Sequence, residues 1–182
     1  MSDFVNYNKR DFGLPPHCKD LIDVLRRVNP RDANPRLEDF EVARDEVLTG
    51  TLSDLAVHIQ AFCKFRGQFS ELRITEPDDQ ITVLFNRTVY TEVVASISIP
   101  PVSPHQQAIR SFLKNRRFEW PVESEFPETI YPAIPVQIFR EITPLPTNPA
   151  ELSRLTVDFF LHVGLESRSS LLYRHWMIAK KG

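Results

Sequence analysis

Glycine is scarce in this chain. Five glycines among 182 residues form no G-x-G-x-x-G turn and no P-loop, which excludes a phosphate cradle built on a glycine-rich loop. Cysteine is scarcer still. Cys18 and Cys63 are the only two, and they make neither a disulfide framework nor a zinc-ligand spacing. Neither sign of charge is in excess: 22 Lys and Arg against 24 Asp and Glu give a net charge of −2. A generic nucleic-acid binder carries a basic excess, so that class is disfavoured. No apolar run approaches the roughly 20 residues of a membrane-spanning helix. Residues Met1 to Tyr7 lack the basic-then-apolar pattern of a signal peptide, so a cytoplasmic protein is expected. The H-E-x-x-H and G-x-S-x-G motifs are missing as well. These gaps point to a binding role without a cofactor, and they name no substrate.

Hydrophobic residues make up 42% of the chain, and a chain of this length buries roughly 70% of its unfolded surface. One domain with an added arm is the expectation. Residues 1–50 read as that arm. After Pro15-Pro16, the apolar stripe Leu21, Val24, Leu25 and Val28 predicts a short helix ended by Asn29-Pro30. Asn34-Pro35 opens a second expected helix, with Leu37, Phe40, Ala43 and Val47 on one face and Gly50 as its C′ residue.

The domain proper is expected over 51–182. Thr51-Leu52-Ser53-Asp54 has the form of a capping box. Leu55, Ile59 and Phe62 follow at helical spacing. The period then changes from 3.6 to 2. Phe69 to Thr75, Ile81 to Asn86 and Thr88 to Ile99 read as three strands of an antiparallel meander. Ser103-Pro104-His105-Gln106 predicts a helix start, with Ser as cap, Pro at N1 and Gln at N3. Ten of the fifteen prolines fall between residues 100 and 149, so Val136 to Ile142 reads as an edge strand. Asn148-Pro149-Ala150-Glu151 opens another helix, closed by Gly164. A last helix is expected from Ser169 to Ala179, with Leu172, Tyr173 and Trp176 inward. The predicted class is α+β, in the order α-β-β-β-α-β-β-α. About five antiparallel strands would carry helices on one face, with a helical arm at the N-terminus.

Few residue groupings carry chemistry. His17, Cys18, His58 and Cys63 do not have the spacing of a zinc site. Cys18 or Cys63 as a nucleophile would need a histidine brought near in space. His105 in a helix first turn is expected to be solvent-exposed, and His175 is expected beside Trp176 on the last helix. The acidic pairs Glu38-Asp39, Asp45-Glu46 and Asp78-Asp79 read as solvated faces or turns. Lys114, Arg116 and Arg117, with Trp120 behind them, have two readings. They are cations suited to a helix C-terminus, or contacts to a nucleic-acid backbone with a stacking ring. Leu84, Val94 and Phe139 are expected on the sheet face away from the helices. Apolar residues there suit a partner protein, or they are scattered surface apolars of the ordinary kind.

The element order over 51–164 resembles the type III secretion chaperone-like fold, including domains related to Tir chaperones. Ser103-Pro104-His105-Gln106-Gln107 through Phe118-Glu119-Trp120-Pro121 look like that family's helix and its tryptophan-proline turn. Asn148 through Leu165 looks like its final helix and exit. The resemblance covers roughly two thirds of the chain. It implies a non-enzymatic module that binds an extended segment of a partner protein, often as a homodimer.

Overall fold

A computed structural model of the chain describes residues 34, 36–44, 47–88, 93–100, 102–117, 128–130, 134–140 and 145–182. The first expected arm helix (21–28), Cys18, His17 and Trp120 lie outside the described residues. The strands are β1 (Phe40–Arg44), β2 (Leu48–Thr51), β3 (Phe69–Glu76), β4 (Ile81–Thr88), β5 (Val94–Ile99), β6 (Glu128–Ile130), β7 (Ile134–Arg140) and β8 (Ser170–Lys180). The helices are α1 (Leu55–Lys64), α2 (Gln106–Asn115) and α3 (Pro149–His162). From residue 55 to 162 the order is the expected α-β-β-β-α-β-β-α, and the class is α+β.

All eight strands pair antiparallel in the order β1-β8-β3-β4-β5-β7-β6, with β2 also on β8. Two expected helices are strands instead. Residues 170–180 form β8, which lies between β3 on one side and β1 and β2 on the other. Leu171, Tyr173, His175, Trp176 and Ile178 are all buried there. A strand covered on both faces loses its polar-out alternation, so the apolar run imitates a helix. Residues 37–39 form a single 3-10 turn, and the chain then enters β1. Phe40 to Arg44 pairs with Lys180 to Trp176. That pairing across almost the whole chain overrides the local helical spacing.

The helix ends follow local chemistry. The Asn148 side chain accepts from the amide of Ala150 at 2.8 Å, with Pro149 at the first helical position. α3 closes on Gly164 at φ +100°, with Leu165 N donating to Phe160 O and Gly164 N to Leu161 O. This is a Schellman end, and its left-handed residue suits glycine. At the other capping box, the amide and hydroxyl of Thr51 both donate to Asp54 Oδ2, at 2.7 and 3.0 Å. These bonds draw the Asp54 carboxyl below its ordinary range. Ser103 acts one turn earlier than expected: its hydroxyl accepts from the amide of His105, and regular helix begins at Gln106.

The core lies between one sheet face and the helices. Leu72, Ile74, Val83, Phe85, Ile97 and Tyr173 meet Leu55, Ile59, Phe62, Ile109, Phe112 and Phe160 in one cluster. Phe69, Leu84, Trp176 and Ile178 sit in the alternate rows and are buried as well. Phe69 meets the Trp176 ring edge-on at 5.0 Å between centroids. Within the same rows, Arg73 stands opposite Arg174, and Glu71 lies 3.5 Å from Arg73.

Candidate functional site between α2 and α3

The C-terminal ends of α2 and α3 enclose an open groove of about 430 Å³. Phe112 and Leu161 form its apolar floor; Asn115, Arg116, Asp158 and His162 complete the lining. The two helices meet through Phe112 and Phe159, edge-on at 5.4 Å between centroids. Phe112 is buried because α2 places Ile109, Phe112 and Leu113 on one side. Leu161 falls on the opposite side of α3 from that core and remains 45% exposed. That is a large apolar surface for a residue with core-forming neighbours.

Arg116 spans the groove. Its guanidinium lies 2.6 Å from Asp158 Oδ2 and 5.4 Å from the centre of the Phe112 ring. Pair and ring hold the arginine in one place, although an exposed ion pair adds little stability by itself. The rim is basic. Arg110, Lys114, Arg116 and Arg117 are all exposed, and no acid occurs between Val102 and Arg117. The backbone of Arg117 is left-handed, at φ +57°. Its amide bonds Lys114 O, as the amide of Gly164 bonds Leu161 O at the end of α3. The two helices thus end alike, with arginine at one end where the other has glycine. A non-glycine residue in that conformation costs roughly 1–2 kcal/mol.

The structure redistributes the residues singled out in the sequence. Of Lys114, Arg116 and Arg117, Arg116 lines the groove, and all three are exposed at the end of α2. Leu84 is 7% exposed, so it is no free apolar spot on the sheet. Val94 stands opposite Asn86, in the same row as Leu84, whereas Phe139 stands opposite Ile97 in the alternate row. Phe112, Asp158, Leu161 and His162 were missed. Arg116 and Asp158 are 42 residues apart in sequence, and no spacing announces such a pair. The one available signal was a helix end, Asn115-Arg116-Arg117, with no glycine to close it.

The remaining polar residues have fold-related partners. His105 is half-buried and bonds Asp79 at 2.8 Å, which corrects its expected exposure. Burial pushes the Cys63 thiol up, against the weaker pull of Arg87 and Arg66. A nucleophilic thiol needs the opposite shift. Arg87 donates to the last carbonyls of α1, at Phe62, Cys63 and Phe65. His175 lies on a strand, and its Nε2 is 3.0 Å from Nδ1 of His58. Among the described residues no cluster of three or more His, Cys, Asp or Glu is placed to hold a metal ion. Nor is any described helix long and apolar enough to cross a membrane. No protein family matches the chain, and neither the curated proteins nor the solved structures offer a significant match to it.

Proposed function

We propose that the protein is a non-catalytic binding module of chaperone or adaptor type, and that it takes an extended segment of a partner protein in the groove between α2 and α3. The observation that carries this reading is Arg117. A cation stands in a left-handed position where α3 uses glycine, next in sequence to Arg116, which lines the groove. Gln80, in the turn between β3 and β4, shares this conformation; at Arg117 the strain stands beside a groove residue and points to a task for the side chain. The groove volume of about 430 Å³ falls in the lower part of the ~300–1,000 Å³ range of ligand sites. It suits one bulky apolar side chain better than a whole cofactor. The cations of α2 next to the groove favour acidic residues on either side of that side chain. The chaperone-like order of elements supports the same reading.

A nucleic-acid strand would use the same rim. Asp158 in the groove and the net charge of −2 weigh against it. Selection from a random peptide library separates the two. Binders to the full chain should be acidic with an aromatic or large aliphatic anchor, and Lys114→Glu with Arg117→Glu should weaken them at least tenfold. The reading fails if no peptide is enriched, or if single-stranded DNA binds with a steep salt dependence while peptides do not. Light scattering on the same sample reports whether two copies pair, as the resemblance implies.

A further inference from the structure

The floor of the groove is also the wall of a second cavity. Among the described residues, Phe112 alone lines both spaces. Between the sheet and α3 its ring borders an apolar cavity of about 30 Å³. Val83 and Phe85 of β4, Ala95 of β5, and Leu155 and Phe159 of α3 stand in the walls. Thr156 lines it too, but its hydroxyl already donates to Leu152 O at 2.7 Å. The volume exceeds the ~10–15 Å³ that one water needs, yet a water there would find few polar partners. The space is therefore suited to an apolar group.

A closely packed core holds a ring in place because every displacement meets other atoms. Phe112 is held that way on part of its surface only. Its ring is 5% exposed. The Arg116 guanidinium lies 5.4 Å from its centre, the His162 ring 5.6 Å and the Phe159 ring 5.4 Å. Where the ring borders the cavity it lacks such contacts, and a ring moving into that space regains them. Pressure from a side chain in the groove therefore has somewhere to send the ring.

The chemistry around Phe112 also distinguishes among apolar side chains. Arg116 and His162 both line the groove and both lie against the Phe112 ring. A guanidinium is drawn to the face of an aromatic ring. Aromatic rings gain from edge-on or offset contact with one another. A branched aliphatic side chain gains from neither, so a deepened floor between these groups favours an aromatic anchor.

We propose that Phe112 sets the depth and the selectivity of the groove. Its ring backs into the inner cavity when an aromatic side chain enters, and the deepened groove prefers aromatic to branched aliphatic anchors. This rests on the groove being the partner site, and it names the side chain that the groove takes. The partner is then an acidic segment carrying one aromatic residue.

Val83→Ile provides the test. It adds one methylene at a buried wall of the inner cavity and lies outside the groove lining. A selected acidic peptide is made in two forms, with Trp or with Val at the anchor, and each is titrated calorimetrically against the full chain. The wild type should bind the Trp form about tenfold more tightly, the lower end of what one methylene of fit is worth in an apolar pocket. In Val83→Ile the preference should shrink to under about threefold, since the filled cavity no longer admits the ring. Equal affinities in the wild type, or the same preference in both proteins, overturn the moving floor and leave the groove reading standing. If neither form binds the wild type, the groove reading fails and the moving floor falls with it. Should Val83→Ile not fold, NMR of the wild type decides. The nuclear Overhauser effect between the Phe112 ring and the Ala95 methyl should strengthen about twofold when the Trp form binds, and an unchanged effect overturns the proposal.

Discussion

The α1–β8 junction and the α2–α3 groove use polar side chains in opposite ways. At the junction Tyr173 and His175 are buried, and their polar atoms are bonded across elements distant in sequence. At the groove Arg116 is exposed, with Lys114 and Arg117 exposed beside it in sequence, and one short ion pair crosses an open floor. Breaking a buried bond strands a desolvated partner, which is costly. Changing an exposed charge costs the fold little. The junction thus contributes to stability, while the exposed charges at the groove contribute little to it. The two helix ends make the same contrast within one layer. Gly164 ends α3 without strain, and Arg117 ends α2 with it.

Three substitutions grade this comparison. The largest effect is expected from Gly50→Ala. Its methyl would press on both Asp54 and Tyr173, and overpacking of this kind costs about 1–3 kcal/mol. Urea unfolding should show the loss; an unchanged midpoint would mean that the junction gives way easily.

Tyr173→Phe comes next. Loss of the bond to Thr51 O should cost about 0.5–1.5 kcal/mol near neutral pH. Burial, and then the charge of Asp54, raise the Tyr173 hydroxyl well above its ordinary range in the folded state. The sign follows from that direction. A folded-state pKa above the unfolded one favours the fold fully below pH ~10, and the advantage is lost as pH rises beyond it. The wild type should therefore lose its lead over Tyr173→Phe above that pH. A constant gap from pH 8 to 10.5 would contradict the burial of that hydroxyl.

The smallest effect has the opposite sign. Arg117→Gly should stabilise the chain by about 0.5–1 kcal/mol, because glycine adopts the left-handed conformation without a steric penalty. The same change should weaken binding of the selected acidic peptides. A more stable protein that binds less well is the outcome expected if strain at Arg117 serves the groove. A thermal melt that falls instead would place the value of Arg117 in the fold.

Some elements were legible because their causes are local. Thr51 to Asp54, Asn148 to Glu151 and Gly164 mark helix ends through groups within a few residues of one another, and the structure places helix ends at each. The alternation of Ile81, Val83 and Phe85 likewise marked a strand with one face on the core. Leu37 to Val47 and Ser169 to Ala179 were misread for one shared reason. Each becomes a strand by pairing with the other, and a pairing between segments more than a hundred residues apart leaves no local trace. Lys114, Arg116 and Arg117 could be picked out as a basic group from their spacing alone. The Asp158 partner of Arg116 and the floor of Phe112 and Leu161 could not.

The sequence by itself determined the α+β class, the run of elements from 55 to 162 and the lack of a glycine-rich phosphate cradle. Composition, period and capping act over a few residues, and those features depend on nothing longer. The tertiary structure alone decided that β8 lies inside the sheet, that His58 meets His175, and that two helix ends enclose a groove. Each of these is a contact between residues far apart in the chain. Such contacts are fixed by register and by the burial of both faces of the sheet, and short-range spacing carries no record of either.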